Sequence, residues 1–457
     1  MIPLELRSAF RSSWTDDRDN GALWAGKGAS ALLRVGMAYA AGPLRLVLAP
    51  EVTVASNGAF PLADAAMGYS AYSTPWMPFD LVRRWGKGPV HELRLGQSVA
   101  EVRWRGMAVG ASSANQVRGP EARYPIILGA SGPGVPSAFF EVGGRPGPVG
   151  RVAVRVQYGM LRESPYFDGD PDNDRLLFTL FTLDWAPAFA PGLALGTSFT
   201  YRDPVEGALM PSMLLQPFRT RSAQSEDQLN EDGMAAAHAR WDVGRVGVWG
   251  TWARADGALD VEDLLTDTDH AQLWTVGGRT SWTAGGVDWV FTGEASSSVG
   301  RALRQPRLGS VTSTSRHGMA FQGHTHQGQP LGSSIGPGAS AWWLSVLRTS
   351  PGGPTLGAEV EHVTRDLDVH FEVFKRRDGS SGEDREWRFG VLYQGPIPRF
   401  AGRLADVPGV SVRANGGLSL RWNRDYIRYS SNAHLVGPRE SQIFLDLALT
   451  WDPSAKR

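Results

Sequence analysis

Residues 408–423 read PGVSVRANGGLSLRWN. Val410, Val412, Ala414, Leu418, Leu420 and Trp422 alternate with Ser411, Arg413, Asn415, Ser419, Arg421 and Asn423. An extended strand of this sequence has one apolar face and one polar, charged face. The same period of two recurs along the chain. Val152, Val154, Val156, Tyr158 and Met160 oppose Arg151, Arg155, Gln157 and Gly159, and Leu367, Val369, Phe371 and Val373 oppose Asp368, His370 and Glu372. Helical periodicity is nearly absent. The polar faces carry too much charge for the core of a sandwich, which leaves a soluble sheet stack with one wet side or a membrane barrel whose wet side is the lumen.

Connection lengths separate the two. From residue 150 onward they alternate: 163–173 long, 186–191 short, 204–233 long, a short turn near Gly244, 256–270 long, 283–286 short, 298–339 long and 350–354 short. Outer-membrane barrels have this asymmetry, with long extracellular loops and tight periplasmic turns. Further strands are expected at 355–363, 367–375, 385–394, 408–423, 425–430 and 443–451, and upstream at 31–40, 44–54, 98–105 and 107–114. The pattern therefore predicts an all-β, transmembrane antiparallel β-barrel of about 18 strands. Residues 1–28 are expected to be a short N-terminal periplasmic segment and 29–457 the outer-membrane β-barrel. The Pro- and Gly-rich segments 55–96 and 115–149 break the alternation and are open to short helices, folded-in loops or missed strands. Trp104, Trp282, Trp289, Trp387, Trp422 and Trp451 fall on apolar faces, several near a strand end, as an interfacial girdle requires. The last run, Ile443, Leu445, Leu447, Leu449 and Trp451, has the unbroken apolar face of a terminal barrel strand.

Composition agrees. Lys+Arg 46 balances Asp+Glu 46, so composition gives a nucleic-acid partner no electrostatic support. The 55 glycines and 17 tryptophans suit strands and turns better than helices. With no cysteine, disulfides, thiolate metal sites and a cysteine nucleophile are excluded. No run of 18 apolar residues marks a transmembrane helix, and Met1–Phe10 is too short and acidic for a signal peptide.

Local motifs for chemistry are weak. Gly21 to Lys27 has phosphate-loop spacing, but Gly28 stands where Ser or Thr is needed and a strand follows. Asp168, Asp170, Asp172 and Asp174 have alternate-residue calcium-loop spacing without the sixth-position glycine or the final Glu, and read as a solvated hairpin tip. Glu262, Asp263, Asp267, Asp269 and His270 read the same way. His324 and His326, two apart in a Gly-rich loop, lack nearby ligands and read as a polar loop. No local Ser–His constellation stands out. The expectation is a non-enzyme with no cofactor and no metal.

Several motifs, in order, resemble the capsule assembly Wzi family of bacterial outer-membrane proteins. They are Asp19-Asn20-Gly21-Ala22-Leu23-Trp24 with Gly26-Lys27-Gly28; Leu48-Ala49-Pro50-Glu51 with Ser56-Asn57; and Gly96-Gln97-Ser98 leading to Asn115-Gln116, Gly119-Pro120, Pro125-Ile126-Ile127-Leu128 and Pro133. His317-Gly318, Gly323-His324, Pro330-Leu331-Gly332 and Gly336-Pro337-Gly338 resemble a late loop of that family. Arg118 stands where the family has Trp, and Glu121 follows its Gly-Pro. The resemblance implies an eighteen-stranded outer-membrane lectin that holds capsular polysaccharide at the cell surface. The expected partners are capsular or extracellular polysaccharide, outer-membrane lipid and polysaccharide export machinery, with no nucleic acid. The runner-up is an outer-membrane diffusion porin for small solutes. On either reading the charged faces line the lumen, where Glu101, Arg103, Arg105, Arg155, Glu294, Arg388 and Arg413 are the candidate ligand-binding residues, able either to contact sugar hydroxyls or to pair and plug the lumen. The loops 204–233 and 298–339 are expected to contact a long glycan.

Overall fold

The computed structural model describes residues 2–16, 18–63, 70–74, 79–168, 174–205, 214, 232–255, 272–299, 322–367, 383–398, 407–426 and 439–452. The strands are β1 (Leu4–Arg11), β2 (Gly28–Arg34), β3 (Met37–Ala41), β4 (Leu44–Leu48), β5 (Glu51–Ala55), β6 (Val90–Arg94), β7 (Val99–Trp104), β8 (Met107–Ser112), β9 (Ser137–Gly144), β10 (Arg151–Arg162), β11 (Arg175–Ala186) and β12 (Leu193–Pro204). They continue with β13 (Asp232–Val243), β14 (Val246–Ala255), β15 (Gln272–Ala284), β16 (Val287–Ser297), the two-residue hairpin β17 (Thr325–His326) and β18 (Gln329–Pro330), β19 (Ser340–Thr349), β20 (Thr355–Arg365), β21 (Asp384–Pro396), β22 (Val410–Trp422) and β23 (Arg439–Trp451).

All but the small hairpin join one 21-stranded sheet whose pairs are antiparallel. Three staves are bent, each made of two strands: β2 runs into β3, β4 into β5 and β6 into β7, with β2 on β5, β3 on β4, β5 on β6 and β4 on β7. The described wall therefore has eighteen staves. It closes because β1 pairs with β2 on one side and with β23 on the other, from Leu4↔Trp451 to Arg11↔Phe444. Closure leaves no sheet edge, the condition for a sheet to lie in hydrocarbon. Tight turns at 42–43, 105–106, 244–245 and 285–286 lie at one end of the barrel together with Leu4 and Trp451. The longest connections lie at the other end, and 397–409 is the longest on the tight-turn side.

The expected periplasmic segment over 1–28 is corrected in part: Leu4–Arg11 is a full stave. Leu6 and Phe10 are exposed on its outer side while Arg11 is fully buried, an alternation too short to stand out in the sequence. Most of the expected strand at 367–375 lies outside the described residues, as do residues 427–430 of the one at 425–430. The wall is continuous without them, because β20 pairs directly with β21 and β22 with β23.

The alternation has the polarity a membrane barrel needs. Leu93, Val276, Val391 and Ile443 are half or more exposed on the outside, whereas Glu294, Glu361, Glu386 and Arg421 are almost fully buried within. Trp104, Trp282 and Trp451 are exposed outside near the tight-turn end, and Trp282 stacks on Trp289 at 6.2 Å. Near the long-loop end Trp342, His362 and Trp387 form a second aromatic group on the outer face, with Trp342 and Trp387 5.3 Å apart. Two aromatic girdles bracket the apolar belt.

Candidate functional site

Charged inner walls do not close the lumen by themselves. Segments from the long-loop end fold inward, and the residues around 12–26, 79–86, 113–136 and 322–339 hold one another there. Gly21 N–H donates to the Ala130 carbonyl (2.7 Å), Gly129 N–H to Leu331 (2.7 Å) and Val82 N–H to Gly328 (2.9 Å). On one side this plug packs apolar groups on the inner wall: Ile126, Ile127, Leu128 and Leu331 cluster with Leu161, Phe178, Leu180, Met234 and Leu273. Near residues 122–124 it is held by charge. The Glu294 carboxylate accepts the backbone N–H groups of Ala122 (2.6 Å), Arg123 (2.9 Å) and Tyr124 (2.6 Å) and the Trp249 indole N–H (2.8 Å). Gly277 makes room for that indole, since a Cβ there would lie 2.5 Å from Trp249 Nε1. Two staves along, on β20, Glu361 accepts from the Tyr124 hydroxyl (2.8 Å), from Arg123 (3.1 Å) and from Arg18.

Arg18 also bonds Glu386 and lies 2.7 Å from Asp16, while Asp16 accepts from Arg388. Arg388 lies 3.6 Å from Asp446 and over the Phe444 ring. The Asp16 carboxyl is buried, which would raise its pKa, yet Arg18, Arg388 and Arg11 together hold it far below the usual carboxylate range. Glu121 has no such cation beside it, and burial pushes its carboxyl up to about 7. Its Oε2 occupies the space a Cβ would take on Gly119, whose φ of +116° also favours glycine.

Glu121 gives a direct test of the plug. A carboxyl raised by folding stabilises the folded state below its unfolded value near 4.5, and this contribution is lost as pH rises through 7. Glu121→Gln removes that loss. It should match the wild type in stability at pH 4 and exceed it at pH 8 by roughly 3 kcal/mol, the size of a shift of this extent. Denaturant melts at both pH values check this, and parallel curves would mean that Glu121 is not buried in the plug.

At the long-loop end the plug leaves a small cavity of about 80 Å³, lined by Trp14, Trp24 and Phe60 together with Arg18, Arg83, Arg365, Arg424, Asp16, Glu386 and Asp425. Liquid water takes about 30 Å³ per molecule, so the cavity admits an edge of a sugar residue rather than a whole chain. The Arg424 guanidinium lies 5.9 Å from the Trp14 ring and 5.3 Å from Phe60, and it donates to Glu440 at 2.6 Å. Trp14 and Trp24 are buried and form the back of the cavity, while Phe60 is partly exposed; a ring so placed beside fixed, paired charges can stack on a sugar ring whose hydroxyls the charges hydrogen-bond. Behind the cavity, Asp366, Asp384 and Asp425 come close enough to share a cation. Arg421 bonds Asp384 and Asp425 (2.6 and 3.1 Å), and Arg83 lies 3.6 Å from Asp366, so guanidinium groups already balance the trio.

The residues expected to bind ligand separate into distinct places. Glu101, Arg103 and Arg155 lie on the lumen wall in a ladder: Arg45 to Glu101 (3.4 Å), Arg103 to Glu101 and Glu141 (3.3 Å each), and Arg155 to Glu141 (3.3 Å). Glu294 and Arg388 anchor the plug. Arg413 is exposed within the lumen toward the tight-turn end. Arg105 is not on the wall; it occupies the 105–106 turn with φ +46° and lies over its neighbour Trp104. His324 and His326 are buried in the plug. His324 Nε2 donates to the Ile127 carbonyl (2.7 Å), His326 Nδ1 accepts the Arg162 N–H (3.2 Å), and burial lowers both rings to about 3. Residues 322–339 are thus inside the barrel and not on a surface loop. Residues 206–213, 215–231 and 300–321 of the expected glycan-contacting loops, 169–173 of the aspartate hairpin and 256–271 lie outside the described residues.

A closed antiparallel barrel with an apolar belt, two aromatic girdles and its longest loops at one end is an outer-membrane β-barrel. No helix among the described residues is long and apolar enough to cross a membrane, so the crossing is made by strands. No family model and no curated protein matches the sequence. Among solved structures the chain is similar over its whole length to Wzi of Escherichia coli, described as an outer membrane protein involved in group 1 capsule assembly and a carbohydrate-binding β-barrel; the match covers 85% of that chain at 11% identity with a TM-score of 0.62. The resemblance read from the ordered motifs therefore holds at the level of fold. Two Pseudomonas aeruginosa proteins, OccK2 (OpdF) and OccK7 (OpdD), are matched over 98% of this chain and 97% of theirs, at 13% and 11% identity, with TM-scores of 0.43 and 0.41.

Proposed function

We propose that this protein is a non-enzymatic, lectin-like barrel that holds capsular or extracellular polysaccharide at the outer surface, with the mouth cavity as one of its sugar contacts. The observation that carries the reading is the plug. A porin must leave an aqueous path, whereas here the inward segments are tied to well-separated parts of the wall: Arg18 bonds Glu361 on β20 and Glu386 on β21, the Thr53 hydroxyl on β5 donates to the Ala22 carbonyl, and the Arg162 N–H on β10 donates to His326 Nδ1. Phe60, the partly exposed ring beside Arg424, lines the cavity at the long-loop end. In planar bilayers the protein should show little steady conductance, and glycan-array or pull-down assays should detect the host's own surface polysaccharide. Phe60→Ala should weaken that binding about fivefold, the scale of one lost ring-stacking contact of roughly 1 kcal/mol. Large ohmic channels without glycan binding would favour a diffusion porin instead.

A further inference from the structure

The outer wall carries a groove of about 490 Å³ across the seam where the first and last staves meet. Its floor is made of small side chains, Ser8 of β1 and Ala29 and Ala31 of β2, between Leu445 and Leu447 of β23 on one side and Val54 of β5 on the other. The register explains the shape: Leu447, Ser8, Ala31 and Val54 follow one another across four neighbouring staves, so two small residues lie between two large ones. Because β2 starts at the long-loop end, Ala29 and Ala31 place the groove in the outer-leaflet half of the belt. An apolar void facing hydrocarbon does not hold water and is filled by whatever apolar chain fits it.

The rim above the groove is cationic. Lys27 directly precedes β2 and its ammonium donates to the Ala59 carbonyl (3.0 Å); Lys87 is exposed, and Arg84 donates to the Lys87 carbonyl (3.2 Å). His91, exposed on β6, is the cross-strand partner of Val54. The chain has only four lysines, and two of them are here. Among the described residues no carboxylate pairs with Lys27 or Lys87, and the Lys27 ammonium bonds a backbone carbonyl. We propose that the groove seats an acyl chain of a phosphate-bearing lipid of the outer leaflet, with this rim holding the phosphate. Cations at headgroup height above an apolar slot match both halves of such a lipid.

The test is native mass spectrometry of the full-length protein in detergent. The probes are bisphosphorylated lipid A, its dephosphorylated form and phosphatidylethanolamine. The wild type should retain one bisphosphorylated lipid. Lys27→Glu with Lys87→Glu should lower its occupancy at least tenfold, Lys27→Arg with Lys87→Arg should keep it, and Ala31→Trp should abolish it by filling the floor. Heat-modifiable gel migration shows that each variant is folded, and the charge-reversal pair decides the matter if Ala31→Trp does not fold. Equal occupancy in the charge-reversed variant, or equal retention of the dephosphorylated lipid, would overturn the proposal. So would a dimer that Ala31→Trp dissociates, which would give the groove to a second copy of the chain.

Discussion

In planar bilayers Glu361→Ala is expected to open far more often than the wild type, because it frees the plug from the wall. Glu361 is buried and accepts from Arg18, Arg123 and Tyr124. Its loss leaves two buried guanidinium groups short of a carboxylate. Removing one partner of a buried ion pair costs roughly 3–5 kcal/mol, which raises the displaced-plug population by about a hundredfold to a thousandfold on the scale of 1.4 kcal/mol per factor of ten. Arg413→Ala is the comparison, since that side chain is exposed in the lumen and anchors no part of the described plug. It should leave gating unchanged. Equal conductance for Glu361→Ala and the wild type would mean that the plug is not held from this wall.

The second large effect concerns the outside. Leu447→Arg puts a charge on the lipid face near mid-strand and should lower stability in lipid vesicles by about 2–4 kcal/mol. The neighbouring position looks inward, where Ala448 lies across from Arg7 and Arg413. A carboxylate there gains two cations, so Ala448→Glu should be nearly neutral in the same urea titration. A larger loss for Ala448→Glu would reverse the assignment of the faces.

The wall was legible because period-two alternation survives wherever one face meets lipid and the other meets charge. Residues 408–423 state this in a single stretch, and β22 occupies Val410–Trp422. The first stave was missed because eight residues with Ala9 on the polar side give too short a signal. The site was far less legible. Asp16, Arg18 and Arg123 gain meaning only once they are brought to β20 and β21, 238 to 372 residues away in sequence. Inward-folded segments have no periodicity to betray them, since each residue bonds whatever wall it meets. Their one sequence trace was the set of Gly-, Pro- and Asn-bearing motifs around 19–28, 115–133 and 323–338, where backbone contacts such as Gly21 to Ala130 make the junctions. Alternation assigns Glu101, Arg103 and Arg155 to a polar face, but it carries no information about what a luminal charge pairs with or binds.

The seam between β1 and β23 also sets an order of assembly. Arg11 and Asp446 meet at 2.7 Å although 435 residues separate them in sequence, and loop-closure entropy makes so distant a pairing among the last to form. The link from Arg388 on β21 to Asp16, which follows β1, spans the same junction. Until the final stave docks on the first, Asp16 and the segment that follows it lack one wall of their binding site. An unfinished cylinder therefore cannot be sealed prematurely, and the stopper is seated only in a molecule that has completed its circumference.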